Sequence, residues 1–531
     1  MTSQADVQRV VGLIAQAIAL SQSQHADDAL ACLGDALAIA PDFPIALVQR
    51  GTVLQSMGRH REALADFDRC LAQKPDMAHV LAMRDAALQA EFSRLDHDSN
   101  QPSASISTLY ERALLLLRLQ RDTDALAGLQ QVLERDACHI GALIHMGNLL
   151  VRMNRHDESL VCYERVLAVD PGDVVALFNR GNVLQKNSRH REALASYDAA
   201  LAHKPGFAEV LIEQAHCHLA LGEMQAGWPL FEARWDTEQL HRAKLQSAAP
   251  MWRGEALDEK VDNTRVLLLW AEQGLGDTLQ FVRYLPLIAQ RASRIVLRVP
   301  TALQSLIDGF AARTAAASGA SIAVVGNLPT LPAHDLLCPL MSLPLVFGSD
   351  LPSLPADVPY LHAPEASVEK WRNILGERSK PRIGIVWAGG QRLLNNPTRD
   401  MPLQSLLPLL TYDAEWFSLQ QSISPADAAI LAQLPQVRCV GDDLADFADT
   451  AGLVQQLDLL VSIDSSVAHL AGALGKPVWL MLRKAGEWRW LHDRSDSPWY
   501  PKHRIFRQQS HGAWESVVRD IGEQLRVLTQ G

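Results

Sequence analysis

Over roughly the first 240 residues, apolar positions recur at helical spacing in paired amphipathic stretches joined by short polar turns. The pairs are copies of one another. Ala46-Leu-Val-Gln-Arg-Gly-Thr-Val-Leu-Gln55 corresponds to Ala176-Leu-Phe-Asn-Arg-Gly-Asn-Val-Leu-Gln185, and His60-Arg-Glu-Ala-Leu64 to His190-Arg-Glu-Ala-Leu194. Pro41 and Pro75 stand 34 residues apart, Pro171 and Pro205 likewise, and Ala137 fills the slot 34 before Pro171. Small residues (Gly51, Ala63, Gly181, Ala193) fall where helices must approach closely, Leu with Phe or Tyr fills the seam, and each proline closes one pair before the next begins. Between Pro75 and Ala137 the gap of 62 is six short of two periods and contains the polar stretch Asp96 to Ser103, which predicts a degenerate repeat or a break.

From about Arg265 the pattern changes to short apolar runs separated by helices and loops. Arg265 to Trp270, Arg294 to Val299 and Ser321 to Val325 read as buried parallel strands. A second series comprises Arg382 to Trp387, Glu415 to Leu419, Leu457 to Ile463, Pro477 to Leu482 and His503 to Phe506, and a Pro-rich connection near Leu351 to Pro364 divides the two. This predicts two Rossmann-like α/β units facing a cleft, with ligands beyond the strand C-termini.

A 34-residue period is that of the tetratricopeptide repeat, and residues 5 to 238 resemble that family. The resemblance implies a right-handed stack whose concave groove binds a protein or peptide; the alternative is that the repeats serve assembly, as in a homo-oligomer. The expected organisation is α followed by α/β: a repeat domain over 1–238, a linker over 239–263, Rossmann-like domains over 264–365 and 366–510, and a C-terminal helix over 511–531.

Composition supports two architectures in one chain, since all 12 tryptophans lie at or after Trp228 and 21 of the 27 prolines follow it. Of the 531 residues, 48% are hydrophobic and 21% charged, enough to bury large cores. A net charge of −11 argues against a broad nucleic-acid or anionic-membrane surface. The seven cysteines, Cys32, Cys70, Cys138, Cys162, Cys217, Cys338 and Cys439, are scattered and never paired as C-x-x-C, which speaks against a disulfide framework or zinc ribbon. Val10 to Leu20 has the look of a short signal-peptide core but is interrupted by Gln16 and lacks a basic flank, so it reads as a repeat helix. No apolar run reaches the roughly 20 residues of a membrane span, and the expectation is a soluble, cytoplasmic protein.

Two loops carry candidate chemistry. Glu272-Gln-Gly-Leu-Gly-Asp277 follows the first strand; Gly274 and Gly276 allow close backbone approach, and the helix start favours an anion. Asp277 reads also as a helix N-cap, the commoner role of Asp in that position. Ser462 to His469 follows the strand ending at Ile463, and its hydroxyls and N–H groups suit a diphosphate; a capping motif with a packed histidine is the alternative.

Together and in this order, the loops resemble those of the bacterial heptosyltransferase-like glycosyltransferases, which have the GT-B fold of two Rossmann domains; the match runs from about residue 264 to 510. Leu275-Gly-Asp277 is similar to the family's Gly-Asp loop, whose aspartate is taken as the catalytic base. Asp464-Ser465-Ser466-Val-Ala-His469 resembles its donor-binding motif, with Ser466 in place of the more usual glycine, and Arg399 resembles the basic residue on the donor phosphate. Glu487-Trp-Arg-Trp490 and Trp499-Tyr-Pro501 depart from the family's ending. The fusion to repeats is more like bacterial protein glycosyltransferases, flagellin-modifying ones included, and is similar to the plan of O-linked N-acetylglucosamine transferase.

The resemblance therefore implies a nucleotide-sugar donor as substrate, no cofactor, no metal, and a protein acceptor, of which flagellin is one. Transfer to a hydroxyl needs a carboxylate to take its proton and a cationic or N–H-rich site for the departing phosphate. Asp277 meets the first need, with Glu272 in reserve; Arg399, Ser465 and Ser466 meet the second. Attack from the opposite face inverts the anomeric centre. Trp488, Trp490 and Trp499 read as base-stacking or as core, and His334 with Cys338 makes no metal set. Two other readings stay open: a non-enzymatic scaffold with a vestigial GT-B half, and a glycan or lipid-precursor transferase.

Overall fold

The computed structural model describes residues 4–99, 101, 104–241, 244–257, 265–389 and 400–530. Helix pairs form where the pattern places them: Gln4–Gln22 with Ala26–Ile39, Pro44–Ser56 with His60–Gln73, Ile106–Arg118 with Asp122–Arg135, and Ile140–Arg152 with His156–Val169. Val174–Lys186 with His190–His203 and Ala208–Ala220 with Met224–Phe231 continue the series. First helices begin 34 residues apart from Ile106 onward, but Ala78 and Ile106 are separated by only 28. There a single 22-residue helix, Ala78–Ser99, replaces a helix pair. The six missing residues are thus accounted for by one long helix standing where two shorter ones and a turn would be.

The repeated glycine has a steric cause. A Cβ on Gly51 would stand 2.6 Å from Phe67 Cε1, and one on Gly147 2.7 Å from Tyr163 Cε1; Gly181 meets Tyr197 in the same way. The tyrosines also donate to the asparagine after that glycine, Tyr163 to Asn148 Oδ1 at 2.6 Å and Tyr197 to Asn182 Oδ1 at 2.8 Å. In these three pairs a small residue and a ring therefore set a short separation.

The chain divides into two compact units, residues 1–176 and 177–531. The first is a helical repeat solenoid whose core includes Val10, Leu33, Leu47, Phe67 and Leu116. Val10 to Leu20 lies in its first helix, where Val10, Ile14 and Ala17 are buried. The second unit begins well before residue 238, the repeat boundary drawn from sequence, and takes in the last repeat helices together with two parallel sheets.

The first sheet contains β1 (Leu267–Trp270), β2 (Arg294–Arg298), β3 (Ser321–Val325) and β4 (Leu336–Pro339), ordered β3-β2-β1-β4. The second contains β5 (Arg382–Val386), β6 (Glu415–Ser418), β7 (Val437–Cys439), β8 (Leu459–Ile463), β9 (Val478–Leu482) and β10 (His503–Arg507), ordered β7-β6-β5-β8-β9-β10. All pairings are parallel; Leu268 lies opposite Val296 and Leu337, and Ile385 opposite Ser418 and Val461. Both follow the doubly wound order in which the third, second, first and fourth strands lie side by side, so each has a switch point: β1/β4 in one and β5/β8 in the other.

One apolar core runs from the last repeat helices (Leu219, Trp228, Phe231) past the first sheet (Leu267, Leu269, Ile295) to the second (Leu460, Val478, Leu480). The opposite face of the second sheet, including Ile383, Ile385, Val461 and Ile463, is covered by Trp514, Val517, Ile521 and Leu525 of the helix Trp514–Gln530. That helix is a layer of the second sheet's fold. The segment read as a linker is also partly structural: Met251 pairs with Leu337, Trp252 N–H donates to Leu337 O at 2.9 Å, and the Trp252 ring is buried.

Candidate functional site

β1 is buried along its whole length, and the chain leaves it at the β1/β4 switch point. Glu272 follows two residues later with its side chain 0% exposed, against 21% for Asp277. Glu272 Oε1 accepts from Arg234 Nη2 at 3.1 Å and from Met341 N–H at 3.2 Å. Burial pushes its pKa up to about 7, against the opposing pull of Arg234. Arg234 itself is held by Glu232 at 2.5 Å and Ser342 at 2.7 Å and lies against the Phe231 and Trp235 rings.

Gly274 caps the helix Leu275–Phe281, and its N–H donates to Asp277 Oδ2 at 2.8 Å. The other oxygen, Oδ1, is ion-paired with Arg489 Nη2. Asp277 is therefore a capping residue at the third helical position and, in the same geometry, a partly exposed carboxylate aimed across to the second sheet.

The second loop leaves β8 at the β5/β8 switch point. Ser465 is the N-cap of the helix Ser466–Ala473: its Oγ accepts from Ala468 N–H at 3.2 Å and lies 2.9 Å from Ser462 Oγ. Ser466 occupies the first helical turn, whose leading N–H groups have no acceptor within the helix. Asp464 and His469 are buried, whereas Ser465 and Ser466 are half-buried. His469 Nδ1 lies 3.0 Å from Tyr500 Oη and Nε2 3.6 Å from Asp464 Oδ1. Burial drives the Tyr500 hydroxyl well above its usual range, so it stays protonated beside the ring.

These loops, nearly 200 residues apart in sequence, meet. A Cβ on Gly276 would stand 2.9 Å from His469 Cδ2, which gives that glycine its reason. Next to this contact, Arg489 bridges to Asp277, and Trp490 stacks on His469 with centroids 5.2 Å apart. Arg399 lies outside the described residues; its neighbour Asp400 accepts from Gly389 N–H at 2.8 Å.

Trp488, Trp490 and Trp499 are core: they are buried and pack on Trp228, His469 and Phe281. Arg234, Arg489 and Tyr500 were not assigned roles from the residues alone. The Glu487-Trp-Arg-Trp490 run, an arginine held between two large rings, carried the available signal for Arg489. His334 bonds Ser247 Oγ at 2.7 Å. Among the described residues no group of three His, Cys, Asp or Glu is placed to hold a metal ion, and no helix is long and apolar enough to cross a membrane. Within the solenoid, the first helices of two neighbouring pairs line a recess of about 420 Å³ with Leu114, Leu117, His145 and Leu149 and with Arg118 and Arg152 at its edge.

Residues 14–78, 140–173 and 162–195 match models of the tetratricopeptide repeat. The chain is 26% identical over 326 residues to Protein FlbA of Caulobacter vibrioides, a match covering 58% of this chain and 53% of that protein. It thus spans about half the length of that relative. Among solved structures it is similar to YrrB, described as a TPR protein with an unusual peptide-binding site, at 23% identity and a TM-score of 0.21, over 38% of this chain and 88% of that one. A tetratricopeptide repeat protein from Parabacteroides merdae matches at 17% identity and a TM-score of 0.24, over 43% and 80%. The N-terminal part is a tetratricopeptide solenoid, a scaffold of the kind that holds protein partners.

Proposed function

We propose that the sheet-bearing part of the chain is a glycosyltransferase of the GT-B plan and that the repeats bring it a protein acceptor. The observation that carries this reading is the convergence of the Gly274–Asp277 loop with the Asp464–His469 loop, each leaving its own sheet at a switch point, where doubly wound sheets bind ligands. In this reading the donor's diphosphate rests on the Ser465 and Ser466 loop and on Arg399. The acceptor hydroxyl gives its proton to Asp277 as its oxygen bonds the anomeric carbon. The carbon–oxygen bond to the diphosphate breaks, and the nucleoside diphosphate leaves with the electron pair. Attack from the opposite face inverts the sugar. N–H and guanidinium groups take up the departing charge in place of a metal. The acceptor atom is a protein hydroxyl, with flagellin as one candidate protein.

A thermal-shift series with UDP, GDP, ADP, CDP and dTDP and their sugars, run with EDTA, tests the donor site. Binding at 100 times Kd stabilises by about 2.7 kcal/mol. Arg399→Ala is expected to weaken the shift. If no nucleotide raises the melting temperature, or EDTA abolishes the rise, the donor-site reading is wrong.

A further inference from the structure

The Asp277 carboxylate is held at both ends. Gly274 N–H fixes Oδ2, and Arg489 Nη2 fixes Oδ1. Arg489 is itself immobilised: Nε donates to the buried Gln280 Oε1 at 2.9 Å, its guanidinium carbon lies 4.3 Å from the Trp488 ring centroid, and its side chain is only 10% exposed. Glu487 is too far, at 3.7 Å, to compete for it with a direct hydrogen bond. The next residue, Trp490, stacks on His469 of the second loop. A cation anchored in this way at the meeting of the two loops fixes the direction of the Asp277 carboxylate, because Gly274 N–H and Arg489 each hold one of its oxygens.

We infer that Arg489 is the positioning residue of the transfer site: it keeps the Asp277 carboxylate aimed until the acceptor hydroxyl arrives. This rests on the glycosyltransferase reading above. When the hydroxyl proton passes to Asp277 and the new bond to the anomeric carbon forms, the carboxylate loses its charge.

The test measures nucleoside-diphosphate release from the nucleotide-sugar panel as a function of donor concentration, in the full chain and in Arg489→Ala, Arg489→Lys, Asp277→Asn and the Arg489→Ala/Asp277→Asn double variant. Arg489→Ala is expected to lose roughly tenfold or more in kcat with the donor KM little changed, because the carboxylate is no longer held in line for the acceptor hydroxyl. Arg489→Lys is expected to restore part of kcat, since an ammonium can remake one of the contacts. In the Asp277→Asn background, loss of Arg489 is expected to cost little more, since its effect passes through that carboxylate. A structural role alone would raise the donor KM and lower the melting temperature along with kcat, and add in the double variant. If Arg489→Ala melts near room temperature, the Lys variant and its kcat decide. A folded variant with unchanged kcat overturns the assignment of Arg489 alone. No release by the full chain from any donor of the panel overturns the transferase reading and this assignment with it.

Discussion

Two carboxylates follow β1 five residues apart, and each is met by one arginine, yet their surroundings give them different work. Glu272 is sealed in against Arg234, while Asp277 stays partly open against Arg489. Asp277→Asn keeps an acceptor for the Gly274 N–H, so it is expected to bind nucleotide normally while transfer falls by roughly 10²-fold or more. Asp277→Ala also removes the cap and leaves Arg489 buried without its partner, and is expected to cost about 2–4 kcal/mol in a denaturant titration. Near-normal transfer by the Asn variant would remove Asp277 as the base. Glu272 makes a separate, pH-based prediction. Its pKa rises from the ordinary 4.5 to about 7 in the fold, so between those values the folded chain holds a proton that the unfolded chain releases. Its contribution to stability therefore falls as pH rises through that window, by about 3 kcal/mol in total. Glu272→Gln is expected to flatten the melting temperature between pH 5 and 7; an unchanged slope would place the pH dependence elsewhere.

Among the helices and strands, legibility followed how much of the signal was local. The helix pairs could be read because a small residue, a ring and a closing proline recur at fixed spacing. Gly147→Ala pushes a methyl group into the Tyr163 ring and is expected to destabilise the solenoid by about 1–3 kcal/mol, measured by urea unfolding of the full chain. No loss would mean that the ring moves aside freely. The 62-residue gap announced a break, but nothing in the polar stretch said that one long helix would replace a pair. β4 and β7 went unread for a different reason. Each is a short edge strand: β4 is buried along its four residues but ends in Pro339, which breaks a strand pattern, and β7 buries only Val437 of its three.

For the molecule as a whole, the packing boundary decides which fragments can fold. Residues 177–531 form one compact unit, and Trp228 packs on Trp488 and Phe281 while Arg234 pairs with Glu272. A chain beginning at Ala243 loses Trp228, Phe231 and Arg234 together. At about 3–5 kcal/mol for each large aromatic, that loss matches the 5–15 kcal/mol that a folded protein has in hand. Such a fragment is expected to be insoluble or unfolded, whereas one beginning at Pro171 keeps the helix Val174–Lys186 whole and is expected to melt cooperatively. Comparable melting of the two fragments would show that the last repeat is only docked. Division of labour is therefore tested with the longer fragment: it is expected to keep nucleotide binding and to lose modification of the protein acceptor.

Periodicity and local chemistry determined, from the residues alone, the helix pairs, the change to α/β near residue 265, most of the strands, and the two loops with their glycines, Asp277 and the Asp464–His469 run. These are features in which neighbours along the chain share one cause, such as a helical face, a buried strand or a cap. Tertiary structure alone decided that Gly276 lies against His469, that Arg489 rather than solvent faces Asp277, that Glu272 is buried against Arg234, and that the last repeats belong with the sheets. Each of these joins residues from 38 to over 200 positions apart. Close packing between distant segments selects such partners, and no repeat or spacing in the chain records them.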